Sequence, residues 1–338
     1  ELLDRLQVTA KERGQSIEAI FPATSLQQGF IYHALSQPAD DAYRVQVLWD
    51  YHEKINVENY KVAWIQTIKT YPILRTAFNW EEEVIQIIYD QSDLSFEYHD
   101  IGHEENQEKA IRQIQTQDRS KAFDLTNPSL LRLHLIKQGN PHYTVLKSEH
   151  HSIADGWSGP QLLAKVHFYY KNLCAGDTLR IESDPAYLEA QSYYLAHQDK
   201  VASYWQEALK SVEGANDLNP LLSQHANLDQ VRKMELAAEK GFKITGDLYD
   251  QLQTLIKDEG LTWNVLVQFA WHKLIQVYTQ DQQTVVGTTI SGRDLPIEGI
   301  ESSVGLYINT LPLVVDWNNE RTVREQLHAI HRSIVEVN

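Results

Sequence analysis

Hydrophobic and polar positions change period along this chain in a way that lays out its elements. Leu131, Leu133 and Leu135 alternate with Arg132, His134 and Ile136, which predicts a strand over 130–137. Gln138-Gly139-Asn140-Pro141 breaks that run, and 142–149 reads as the returning strand of a hairpin. Beyond a short polar turn the period lengthens. Leu162, Leu163, Val166, Tyr169, Tyr170 and Leu173 recur at helical spacing as far as Gly176. Ser158 with Gln161 forms a capping box, and Pro160 falls in the first helical turn, where a missing N–H costs nothing. The segment from His150 to Ser158 therefore lies on a strand-to-helix turn, near the positive end of a helix dipole.

The rest of the chain reads in the same terms. The first dozen residues make a polar helix, broken at Phe21-Pro22. Ser25 with Gln28 caps a helix over 26–36, on which Gln27, Gln28 and His33 are solvated or in supporting positions. A strand over 45–51 precedes a helix over 57–70, capped by Asn56 and stopped by Pro72. Strands at 74–78 and 84–89 flank the acidic turn 81–83, and 104–120 is a charged helix. The polar stretch from Gly176 to Pro185 marks a boundary between residues 1–177 and 178–338. Beyond it come helices at 186–197 and 200–209, with Tyr204-Trp205 on the buried face, and a loop at 214–229. A strand over 240–244 follows, then a helix headed by Thr245 and ending at Gly260, and another at 263–278 headed by Thr262. Strands at 283–290 and, unusually long, 304–315 lead to a last helix capped by Thr322 and Glu325. No tandem repeat is visible, yet both halves mix strands and helices alike. The fold class is α/β (α+β), in two related lobes.

Composition narrows the function. With 338 residues, 42% apolar and 22% charged, the chain is long enough for two globular lobes. A formal net charge of −16 opposes binding to nucleic acid and to anionic membranes. No apolar run could cross a bilayer and the N-terminus lacks a signal-peptide pattern, so the expected location is cytoplasmic. The single cysteine, Cys174, fits a reducing compartment and sits in the apolar register of its helix, where burial is expected.

The candidate chemistry sits in the turn. His150, His151, Asp155 and Gly156 crowd into it. Neighbouring residues leaving a strand point to opposite sides, so the two imidazoles cannot grip one metal ion. A doublet that merely packs is the plainer reading. Asp155, Gly156 and the capped helix favour a site.

These residues and others resemble one family. Two histidines, three variable residues, then aspartate, glycine, tryptophan and serine stand here as His150–Ser158, and this is the core signature of condensation domains of nonribosomal peptide synthetases. Leu74–Phe78 matches the family's leucine-arginine-threonine-x-phenylalanine element, with Thr70-Tyr71 where basic residues are usual. Phe123-Asp124-Leu125, Ser203-Tyr204-Trp205, Gly287–Arg293, Gly299-Ile300-Glu301 and Val304–Pro312 match further motifs in the family's order. The family's closing motifs, a histidine-glutamine-aspartate element and a last strand, are missing, which implies a truncated C-terminal lobe. Ser25–His33 is similar to the opening of members that accept a D-configured donor.

The resemblance implies two chloramphenicol-acetyltransferase-like lobes in a V-shaped pseudo-dimer, with the motif at the floor of a central tunnel. It implies amide bond formation between an upstream peptidyl thioester and the amine of a downstream aminoacyl thioester. Upstream and downstream carrier proteins would bring both substrates on phosphopantetheine, beside an adenylation domain in a multidomain enzyme, the domain itself being monomeric and binding neither cofactor nor metal. His151 is the expected catalytic group, since a neutral imidazole can accept a proton or hydrogen bond from the attacking amine. His150 is structural. Asp155 anchors the turn in an ion pair with Arg293, expected from the opposite lobe, with Arg75 as second choice. Gly156 leaves room for a substrate arm and offers its N–H to an oxyanion, and Trp157, Ser158 and Asn309 line the tunnel. Two other readings stay open: a coenzyme-A-dependent acyltransferase of the same fold, and a degenerate module that docks carriers without catalysis.

Overall fold

The computed structural model describes residues 2–38, 40, 42–212, 214, 216–221, 240–317 and 320–337. Most of the loop expected at 214–229 lies outside them. The described chain groups into two compact units: residues 1–198 with 293–308, and residues 199–292 with 309–338.

In the first unit, a four-stranded sheet of order β2-β7-β6-β5 carries the hairpin read from the sequence. Its strands are β2 (Arg44–Tyr51), β5 (Ser95–Asp100), β6 (Leu131–Lys137) and β7 (Tyr143–His150). β6 and β7 pair antiparallel with Leu133 opposite Lys147, whereas β5 runs parallel to β6. Leu131, Leu133 and Leu135 join a core that includes Trp64 and Ile68 of α3 (Val57–Thr70) and Leu162, Val166 and Tyr169 of α5 (Ser158–Ala175). The even-numbered residues of β6 are not a solvated face. Ile136, with Ile101 and Leu146, packs under Ala110, Ile111 and Ile114 of α4 (Gln107–Ser120). Arg132 and His134 both reach the buried Asp118 of α4. The central strands β6 and β7 are covered on both faces, and Arg132 and His134 survive burial on the second because each has an ionic partner.

A second sheet, β1-β4-β3, joins β1 (Ile17–Pro22), β3 (Thr76–Asn79) and β4 (Ile85–Tyr89). β1 lies where the sequence suggested only the end of α1 (Leu2–Glu12). The predicted strand at 74–78 is split, since Pro72–Arg75 forms a 3-10 turn before β3. Helix α2 (Ser25–Ser36) is capped one residue earlier than predicted: Thr24 accepts from Gln27 N–H while the Gln27 side chain accepts from Thr24 N–H. Residues 186–209, expected as two helices, form one, α6 (Ala186–Ala208), and the boundary between units falls within it rather than at 177. Ala186, Tyr187 and Ala190 belong to the first unit's core, which draws the start of α6 into that unit. Tyr204 is exposed, contrary to expectation, as is Cys174.

The second unit holds α7 (Asp247–Glu259), α8 (Trp263–Thr279), the strand pair β8 (Gln283–Ile290) and β9 (Asn309–Asp316), and α9 (Val323–Val337). Its core gathers Val265, Leu313, Val315, Leu327 and Ile330. Gly260 ends α7 with φ +63, the left-handed C-cap that its position predicts. Residues 240–244 form no strand. Phe242 is 87% exposed and Ile244 39% exposed among the described residues, so the apolar positions that suggested a strand are not packed there.

The centre and the edge of the sheet predict unequal costs on one face, where Leu133 and Val47 both stand opposite Lys147. Leu133→Ala empties a fully packed position and should lower unfolding free energy by about 2–5 kcal/mol. Val47→Ala, at a strand position 42% exposed, should change it by about 0.5 kcal/mol or less. Denaturant titration of both variants checks this.

Candidate functional site

β7 delivers the motif. Its last residue, His150, is buried, and the chain then turns through a 3-10 segment, His151–Ile153, before α5 begins at Ser158. The two histidine rings have different surroundings. His150 Nδ1 accepts from the Ser152 N–H (3.3 Å) and lies 2.8 Å from Ser152 Oγ, so its proton is on Nε2. Burial first, then the neighbouring His151, push the His150 pKa down to about 4, and the ring is neutral at pH 7. His151 is half-buried, its ring 5.4 Å from that of Phe30 on α2, and its main-chain N–H donates to Tyr43 C=O (2.9 Å). Its buried Nδ1 has no hydrogen-bond partner among the described residues.

Asp155 makes the densest set of contacts. Oδ1 accepts from Ser158 N–H (3.0 Å) and Arg293 Nη2 (3.0 Å) and lies 2.9 Å from Ser158 Oγ. Oδ2 accepts from Arg293 Nη1 (2.8 Å), Tyr307 N–H (3.0 Å) and Ile308 N–H (3.3 Å). Burial works to raise its pKa, but the Arg293 guanidinium and these donors hold it below the ordinary carboxylate range. Arg293 lies in the same compact unit as Asp155, not in a second lobe as expected, because residues 293–308 return to the first unit. Arg75 is committed elsewhere: buried, it pairs with Glu18 (2.6 Å) and donates to main-chain carbonyls, that of Tyr89 among them.

Ser158 is the first residue of α5 and does not cap it. Its hydroxyl is taken by Asp155, by the Gly305 carbonyl (2.8 Å) and by the Gly305 N–H (3.1 Å), leaving none for the helix. The same contacts explain why the strand expected from 304 begins only at Asn309. Residues 305–308 spend their backbone groups on Asp155 and Ser158 instead of a ladder. Gly305 is required by close approach, since a Cβ there would lie 2.6 Å from Tyr307 Cε2 and 2.8 Å from Tyr187 Cδ2. At Gly156 a Cβ would meet nothing within 4 Å, and Trp157 beside it is 55% exposed. Asn309 opens β9 opposite Ile290.

Sequence reading missed the polar support behind the turn. Gln27, fully buried, donates to Ser152 C=O (3.2 Å) and Tyr187 Oη (3.3 Å). Tyr187 donates to Gln86 Oε1 (2.6 Å), and Gln86 donates to Gln191 Oε1 (2.9 Å). The T-x-x-Q spacing at Thr24 was the one available signal; the remaining partners are distant in sequence.

This turn, with one histidine locked, the next half-buried and an aspartate–arginine pair anchoring its end, is set in a fold of known class. The chain belongs to the condensation domain family, whose model matches residues 17–338. It is 37% identical over 336 residues to N-(5-amino-5-carboxypentanoyl)-L-cysteinyl-D-valine synthase of Amycolatopsis lactamdurans, covering 94% of this chain and 9% of that protein. It is 28% identical to bacitracin synthase 3 of Bacillus licheniformis over 96% of this chain and 5% of that one. The chain thus spans under a tenth of these relatives. Among solved structures, the starter condensation domain of rhizomide synthetase RzmA superposes with a TM-score of 0.72 at 17% identity, covering 94% of this chain and 72% of that one. The first condensation domain of the calcium-dependent antibiotic synthetase, in complex with a substrate analogue, gives 0.67 at 15%, covering 95% and 75%. The fold is therefore the chloramphenicol-acetyltransferase-like α/β fold of condensation domains. No helix among the described residues is long and apolar enough to cross a membrane.

Three variants test the site's electrostatics. Arg293→Ala strands a buried carboxylate and should destabilise the domain by about 3–5 kcal/mol. Asp155 has a folded pKa below its unfolded value of about 3.9. Its contribution is therefore complete above that pH and lost as pH falls through the folded value, so the deficit of Asp155→Asn should shrink in acid. For His150 the sign makes the folded state lose stability as pH drops from about 6.5 to about 4, where the unfolded chain takes up the proton first. His150→Gln should flatten that part of the stability–pH curve, measured by chemical denaturation across the range.

Proposed function

We propose that this domain forms an amide bond between an acyl or peptidyl thioester on an upstream carrier protein and the α-amine of an aminoacyl thioester on a downstream one. The amine nitrogen attacks the thioester carbonyl, a C–N bond forms and the C–S bond breaks. The phosphopantetheine thiol leaves, and the amine's proton is lost. The observation that carries the reading is the contrast between the two motif histidines in a family-typical turn: His150 is saturated and neutral, while His151 is half-buried with an unpartnered Nδ1.

The arrangement favours positioning over strong base catalysis at His151. In a serine-protease triad a carboxylate orients the imidazole and stabilises its charged form. Here Asp155, the nearest acid in the motif, has both oxygens committed to Arg293, Ser158 and the 307–308 backbone. A neutral imidazole so placed holds the amine by a hydrogen bond and accepts its proton as C–N bonding advances. Gly156, with open space where a Cβ would stand, gives a substrate arm room and offers an N–H to the oxyanion. Trp157, Ser158 and Asn309 are assigned to the substrate path, Ser158 through its hold on residue 305. An adenylation domain beside it, and a cytoplasmic setting, complete this reading.

In its multidomain context, His151→Ala should slow transfer by a factor of about a hundred or more while carrier affinity stays unchanged. Mass spectrometry of the downstream carrier, after mixing with a loaded upstream carrier, reads the product directly. Near-normal transfer by His151→Ala would remove histidine from the mechanism. Turnover of acyl-coenzyme A but not of acyl-carrier would make the domain an ordinary acyltransferase.

A further inference from the structure

On the α4 side of the four-stranded sheet, three metal-binding side chains converge outside the motif. Glu97 and His99 are two apart on β5 and so share a face, and Glu97 is the register partner of His134 on β6. His99 Nε2 lies 3.0 Å from His134 Nδ1, and Glu97 Oε2 lies 3.6 Å from each of those nitrogens. A tetrahedral zinc ion with bonds of about 2.0–2.1 Å places neighbouring donor atoms about 3.3 Å apart. The triangle already has the dimensions of one face of that tetrahedron.

The surroundings orient the donors. His134 Nε2 lies 3.2 Å from Asp118 Oδ1, and Asp118 is ion-paired with Arg132 Nε at 2.7 Å. A carboxylate in an ion pair only accepts, so His134 donates through Nε2 and turns the lone pair of Nδ1 toward His99 and Glu97. This carboxylate–histidine pairing is what fixes a metal-ligating imidazole in known sites. Asp118 is held in turn by Gln46 Nε2 (2.9 Å) and by the Ser148 hydroxyl. Lys121 Nζ lies 3.8 Å from Glu97 Oε1, while Oε2 is the oxygen 3.6 Å from both imidazole nitrogens. The buried His134 anchors the floor, while the Glu97 side chain, 46% exposed, leaves a way in and a fourth position for water.

We propose that Glu97, His99 and His134 form a binding site for a divalent transition-metal ion, zinc foremost, with Asp118 as the outer partner that sets the His134 tautomer. Two imidazoles and one carboxylate suit zinc better than a hard cation, and a three-residue set with an open fourth position binds reversibly. Holding β5 to β6 through such an ion stabilises the sheet edge, because only the folded chain presents the three donors together. The site is independent of peptide transfer at the motif.

The test uses the whole chain stripped of metal by chelation and titrated with cobalt(II), then zinc. One cobalt per chain with the intense visible bands of a tetrahedral complex, displaced by zinc, and a rise in melting temperature reversed by chelator are expected. His99→Ala and Glu97→Gln, both at partly exposed positions, should each weaken zinc binding by at least about tenfold. Their melting temperatures in chelator should match the parent's, which separates ligand loss from misfolding. His52→Ala, at the stacked surface pair His52–His142 (4.7 Å), should bind zinc as the parent does. Absence of uptake, unchanged affinity in the double variant of Glu97 and His99, or loss of binding in His52→Ala would each overturn the proposal.

Discussion

The bidentate contact between Asp155 and Arg293 joins parts of the chain that are 138 residues apart in sequence. Taking both charges out of water costs several kcal/mol per ion, and Coulomb attraction repays it only with good geometry and full hydrogen bonding. The carboxylate meets both conditions: each of its oxygens has three polar neighbours, and the guanidinium lies 4.5 Å over the Tyr307 ring. What the pair provides is position. It fixes the turn between His151 and α5, and it pulls residues 305–308 out of an extended ladder onto that turn.

Other buried polar groups repeat this logic on a smaller scale. Gln27 holds the Ser152 carbonyl and leads through Tyr187 to Gln86 and Gln191, so α2, β4, α6 and the motif turn share one hydrogen-bonded path. A path of this kind ties the segments it joins into one arrangement. Gly305 belongs to the same construction, because two tyrosine rings occupy the volume a Cβ would need. Behind the sheet, Asp118 performs the parallel task for Arg132, His134, Gln46 and Ser148.

Much of the local structure was legible. The β6–β7 hairpin, the Asn56 cap, the Gly260 stop and the extent of β8 follow from period, capping chemistry and glycine conformation, all of which act over a few residues. The failures share a cause. The capping box at Ser158 is absent because Asp155 and Gly305 claim its hydroxyl, and the strand expected from 304 is cut short by the same contacts. The alternation in β6 correctly predicted a strand, while what meets its second face was not legible, since Arg132 and His134 are matched by an aspartate from α4. Residues 240–244 and Cys174 carried an apolar pattern that the described residues leave exposed.

The sequence by itself therefore determined many of the helices, the β6–β7 hairpin and β8, the place of the motif on a strand-to-helix turn and, through motifs in a fixed order, membership of the condensation domain family. Periodicity and caps are encoded within a turn or two of helix or strand, so they can be read without knowing what lies opposite. Arg293 was already the expected partner of Asp155, but tertiary structure alone decided that the two sit in one compact unit, that Gln27 is interior, and that Glu97, His99 and His134 converge. Those are pairings between distant segments. Their energies depend on burial and on distances of about 3 Å, which a linear pattern does not contain.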